Sequence, residues 1–183
     1  MSTIIFVSLV DRNIAVMVLT KSELLTALEN EVRILLHLAG KVDRAKLDYR
    51  PMPKQRSTIE LLRYLSVMGP RWLRYIKTGT FDAAAWTAAE QAAESLDFDQ
   101  AVAAITLHTD AYATLLADMS DADLRAEIAG LGVNATRGAL IVTYVLCECA
   151  VYRMQLFLYL KACGREELST WNLRAGTDPP APV

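Results

Sequence analysis

Glu148-Cys-Ala-Val-Tyr152-Arg153-Met-Gln155-Leu156 lies inside an apolar run from Thr136 to Cys163 that ends at Gly164. The run is long enough for one helix, and three faces of that helix can be written out. Leu140, Cys147, Val151, Met154 and Leu158 form one apolar stripe. Val142, Leu146, Cys149, Leu156 and Leu160 form a second, interrupted by Arg153. Ile141, Tyr144, Val145, Glu148, Tyr152, Gln155 and Tyr159 form a third, mixed in chemistry. A helix apolar nearly all round is central to a bundle, or shared between a bundle core and a dimer interface. Glu148 and Arg153 argue against a membrane span. Glu148 and Tyr152 are one helical turn apart on one face, where a metal protein would place two histidines. The two histidines of the chain, His37 and His108, lie elsewhere.

Upstream, the period is helical from Thr20. Thr20-Lys-Ser-Glu23 is a capping box. It opens a helix to about Ala39 with Leu25, Leu28, Val32, Leu35 and Ala39 as its stripe, and Gly40 ends it. Ser57-Thr-Ile-Glu60 opens a second helix, to about Lys77, with Leu61, Leu65, Met68, Trp72 and Tyr75. Gly69-Pro70 sits inside it and predicts a kink. Residues 78–96 read mainly as a crossover with room for a short helix. Asp97-Phe-Asp-Gln100 starts a third helix carrying Phe98, Ala101, Ile105, Tyr112, Leu115 and Met119. Ser120-Asp-Ala-Asp123 starts a short helix that stops near Gly130. Residues 165–183 read as an irregular tail, and 20–164 as the folded unit.

Residues 1–19 read as an N-terminal extension. Ile4–Val10 and Ile14–Leu19 around Asp11-Arg-Asn13 suit a β-hairpin. Alternatively Met17 is the start and the first 16 residues are an upstream extension, the reading favoured by the cap at Thr20.

At 183 residues, 53% hydrophobic and 22% charged, the chain is one globular domain. A net charge of -2 leaves no electrostatic footprint for nucleic acid. The three cysteines form no CxxC pair and read as free thiols in a reducing cytoplasm.

Leu47-Asp-Tyr-Arg-Pro51, then Ser57-Thr-Ile-Glu-Leu-Leu-Arg-Tyr64-Leu, then Tyr152-Arg-Met-Gln155-Leu and Tyr-Leu-Lys-Ala-Cys-Gly164 stand in an order that resembles the DinB-like family. Glu167–Gly176 also looks like one branch of it. The resemblance implies an all-α, up-down-down-up four-helix bundle with a long crossover between helices 2 and 3, and a homodimer. It also implies a divalent metal on three histidines, at positions that correspond here to Tyr64, Glu148 and Tyr152. None of the three is histidine, and Met154 stands where the family has a glycine. The expectation is therefore no metal and no cofactor.

The pocket is expected to hold Tyr64, Glu148, Tyr152, Gln155 and His108, with Glu148 as the candidate catalytic group. His108, beside Ile105 and Tyr112, also suits a satisfied core residue. Arg153 suits a structural role. The function expected is binding of an unknown small molecule, or an interaction role, in a modified or vestigial pocket. The alternative is a transferase or hydrolase, one that can be thiol-dependent, using Glu148 with Tyr64 and Tyr152. The expected setting is cytoplasmic, with no nucleic-acid or membrane partner.

Overall fold

The computed structural model describes residues 19–130 and 132–180. The two readings of the amino terminus fall on residues outside this range. Helix α1 spans Lys21–Ala39, α2 Thr58–Thr78, α3 Ala83–Glu94, α4 Phe98–Thr106 and α5 His108–Leu116. Then come α6 (Asp121–Arg125), strands β1 (Glu127–Gly130) and β2 (Val133–Thr136), α7 (Arg137–Ile141), a wide π-helical turn (Val142–Cys147) and α8 (Glu148–Ala162). The bundle helices are α1, α2, α4 with α5, and α7 with α8. The fold is the expected up-down-down-up four-helix bundle, and α3 lies in the crossover.

Local sequence sets the helix starts. Thr20, Ser57, Asp97 and Ser120 each accept from the backbone N–H three residues on, and the side chain at that third position returns a bond to the cap N–H. Each box satisfies two otherwise orphaned donors. The stripes then meet. Leu28, Leu38, Leu61, Leu62, Leu65, Met68, Ile105 and Tyr112 are fully buried in one core.

The helical region departs from the sequence reading in three places. The third bundle helix is broken at Leu107. Thr106 bonds back to the Val102 carbonyl at 3.0 Å, a contact that bends helices. The stretch after α6 is an antiparallel hairpin, with Glu127 opposite Thr136 and Gly130 opposite Val133. The last helix widens to a π turn just before Glu148.

The tail is not wholly irregular. Trp171–Ala175 form one wide helical turn against α1. Asn172 and Leu173 are buried there, and Gly176 backs onto Ile34 so closely that a Cβ would stand 3.0 Å from the Ile34 Cα. Arg153 fastens this tail: its Nη1 donates to the Leu173 carbonyl, while its Nε lies 3.0 Å from Glu31 on α1. That is the structural role expected for Arg153.

Pro70 lies within α2, and the helix continues through it. Its neighbour Gly69 takes the closest contact between α2 and α5. A Cβ at Gly69 would lie 2.0 Å from the Tyr112 hydroxyl, which is buried without a hydrogen-bond partner. Alanine ordinarily gains about 1 kcal/mol over glycine inside a helix. Here Tyr112 is fully enclosed and cannot retreat. Overpacking of this kind costs about 1–3 kcal/mol, so the clash outweighs the propensity gain. Gly69→Ala should lower stability in urea denaturation, and adding Tyr112→Phe should restore part of the loss. Unchanged or raised stability of the single variant contradicts this packing.

Candidate functional site

Tyr64 on α2 and Tyr152 on α8 meet edge to face, with ring centroids 5.1 Å apart. The Arg56 guanidinium covers the Tyr64 ring at 4.0 Å from its centroid. Burial, and after it the adjacent Tyr152 phenol, push the Tyr64 hydroxyl well above its ordinary range, and Arg56 only partly offsets this. Tyr64 is therefore a protonated donor at neutral pH. Glu148, one turn before Tyr152, is half-exposed. Its charge is felt at Tyr64 and at Cys149. Among the described residues its carboxylate has no side-chain hydrogen bond or ion pair.

The other expected pocket residues are engaged elsewhere. The Gln155 amide donates to the Tyr159 hydroxyl at 2.5 Å, and Tyr159 donates to the Arg56 carbonyl at 2.9 Å. This relay braces the loop before α2. Tyr49 packs on the same Tyr159 ring, with centroids 5.5 Å apart. His108 is buried in the core, its Nε2 2.9 Å from the Ser66 carbonyl. A carbonyl only accepts, so Nε2 carries the proton. His37 is half-buried and bonds Asn172 of the tail at 3.1 Å. Cys149 is enclosed beside Tyr112, and burial pushes its thiol up to about 12, which makes it inert as a nucleophile.

The concave feature beside Tyr64 lies between α2 and the crossover helix α3. It is a cleft of ≈ 380 Å³ walled by Arg56, Glu60, Arg63, Tyr64, Val67, Glu90, Ala93 and Glu94. That volume lies at the low end of the range for small-molecule sites, about 300–1,000 Å³. Of the expected site residues, only Tyr64 lines it. The α3 side was not singled out in the sequence, because an alanine-rich stretch gives no sign of which bundle face it covers. The α2 side carried a signal: Glu60, Arg63, Tyr64 and Val67 recur at helical spacing on one face. Beyond the cleft, Arg71 lies over Trp86 at 4.0 Å, and Trp86 meets Trp72 at 4.8 Å.

Among the described residues, no three His, Cys, Asp or Glu side chains converge as metal ligands would. No family model matches the chain, and no curated protein matches it significantly. Among solved structures it is similar to YjoA, a DinB-like protein from Bacillus subtilis, at 18% identity and a TM-score of 0.61. The likeness covers 80% of this chain and 95% of that one. At this identity the likeness shows a shared fold.

Burial holds the His108 pKa below its ordinary 6.5, against the opposing pull of the Ser66 carbonyl. Neutral His108 therefore contributes stability that is full above 6.5 and lost as pH falls through the depressed folded value. Urea midpoints compared from about pH 8 down to about pH 4 should show the gap between the native chain and His108→Gln shrinking with acid. A pH-independent gap contradicts a buried neutral imidazole.

Proposed function

We propose that the chain is a metal-free protein of DinB-like fold that binds a small polar molecule in the cleft between α2 and α3, against Tyr64. The observation that carries this is the cleft itself: it is of ligand size, it is walled by charged groups, and it is lined by Tyr64, one member of the tyrosine pair. The donor chemistry supports the metal-free part. Tyr64, Glu148 and Tyr152 offer two phenols and one carboxylate. Zinc and nickel favour neutral imidazole or thiolate. A phenol must ionise to bind them, and Tyr64 is pushed away from ionising. This set does not fit the divalent metal that the resemblance implies.

The outer face of α8 supports a second part of the proposal, self-association. Val151, Met154 and Leu158 are 60%, 43% and 56% exposed, and Cys147 extends the same stripe. An 18-residue window within Arg137–Ala162 has a mean hydropathy of 1.4, yet only 28% of it is buried. The helix forms one wall of the bundle and carries the half-buried Arg153–Glu31 pair. A continuous apolar stripe of this kind suits a two-fold contact in which each α8 covers the other.

A thermal-shift screen of small polar compounds should find at least one that raises the melting temperature, and Tyr64→Ala should abolish that shift. The same preparation should carry far less than one metal ion per chain. Near-unit zinc or nickel, or a shift indifferent to Tyr64, overturns the proposal. Light scattering should give twice the chain mass, and Leu158→Glu should return it to one. A native monomer at micromolar concentration overturns the self-association.

A further inference from the structure

The arginines around the cleft are each held by something other than a carboxylate. Arg56 rests on the Tyr64 ring. Arg63 donates through Nε to the Leu96 carbonyl at 2.7 Å. Arg71, beyond the cleft, rests on Trp86 and feels the charge of Glu90. Facing them, Glu90 and Glu94 stand one turn apart on α3 and so share a face. Among the described residues neither makes an ion pair. The third glutamate, Glu60, is already used: it accepts from the Ser57 N–H and pairs with Arg50 at 2.9 Å.

Long side chains of opposite charge in an open cleft ordinarily swing together. The gain is small because water screens it. A guanidinium on an aromatic face gains a comparable amount, so the ring contact can keep Arg56 from the carboxylates. The cleft thus keeps two available cations, Arg56 and Arg63, and two available carboxylates, Glu90 and Glu94, on opposite walls. Val67 and Ala93 supply apolar lining between them. A simple anion would meet the glutamates, and a simple cation would meet the arginines. A molecule carrying both charges satisfies both walls.

We infer that the cleft takes a small zwitterion, an amino acid or short peptide, with its ammonium group at Glu90 and Glu94 and its carboxylate at Arg56 and Arg63. This rests on the reading of the cleft as a binding site. Recognition is by charge at both ends, so blocking either end weakens binding.

The test is calorimetry on the full chain with a panel of free amino acids and unblocked dipeptides, each compared with its N-acetylated and C-amidated form. At least one unblocked compound should bind, and each of its blocked forms should bind at least about tenfold more weakly. In Glu90→Gln/Glu94→Gln the N-acetyl form should lose its disadvantage. In Arg56→Gln the amide should lose its disadvantage. These side chains lie at the cleft rim, so the variants should fold, which circular dichroism checks. If blocked forms bind as well as free ones, or only neutral or singly charged compounds bind, the zwitterion inference is overturned and the cleft as a binding site stands. If no compound of any charge binds in a way that Tyr64→Ala abolishes, both fall.

Discussion

Arg71, Trp86 and Trp72 form a stack that fastens the crossover to the bundle. The anchor is needed because α3 is a weak element. It has 12 residues, no charged residue in its first turn beyond the Asp82 cap, and Ala93 as its one fully buried side chain among the described residues. Its alanines favour helix but bury little. Trp86 supplies what they lack, meeting Trp72 of α2 and Phe81 of the preceding loop, and Trp72 in turn packs on Tyr144. At the other end Arg63 ties the chain after α3 to α2 through the Leu96 carbonyl. Between these two fastenings α3 packs along α2, and the cleft opens between them beside Tyr64.

A second constraint acts on the opposite side of the molecule. Glu31 and Arg153 pair with side chains 13% exposed each. Burial pushes the Glu31 carboxyl up, and Arg153 partly offsets this. Such a pair stabilises little over an apolar replacement. Its value here is positional, since Arg153 also takes the Leu173 carbonyl and so joins α1, α8 and the tail. Lys41 and His37 extend the seam to Asp178 and Asn172. The tail therefore closes the α1–α8 side, and the ligand-sized opening faces α3 instead.

Much of this was legible because it is local. The boxes at Thr20, Ser57, Asp97 and Ser120 need only neighbouring residues, and the core stripes need only periodicity. The hairpin was missed because Glu127-Ile-Ala-Gly130 and Val133-Asn-Ala-Thr136 are short and largely exposed, with little alternation to read. The tyrosine pair was legible as a shared place across the bundle. Gln155 went to Tyr159 because a residue one turn along its own helix is nearer than any group across the core. The cleft was largely illegible: it depends on which face of α2 the crossover covers, and that is set by contacts distant in sequence, the Trp72–Trp86 stack and the Arg63 bond to Leu96.

We place the site between α2 and α3 rather than at the α8 positions where the resemblance places a metal. The most direct measurement is protein NMR of the isotopically labelled chain with a ligand found by screening. Saturable shift changes should centre on Tyr64, Val67, Glu90 and Ala93, with the Trp86 indole responding at the edge. Changes centred on Cys147, Val151 and Leu158, or changes at Glu148 and Tyr152 that need added zinc or nickel, would contradict it.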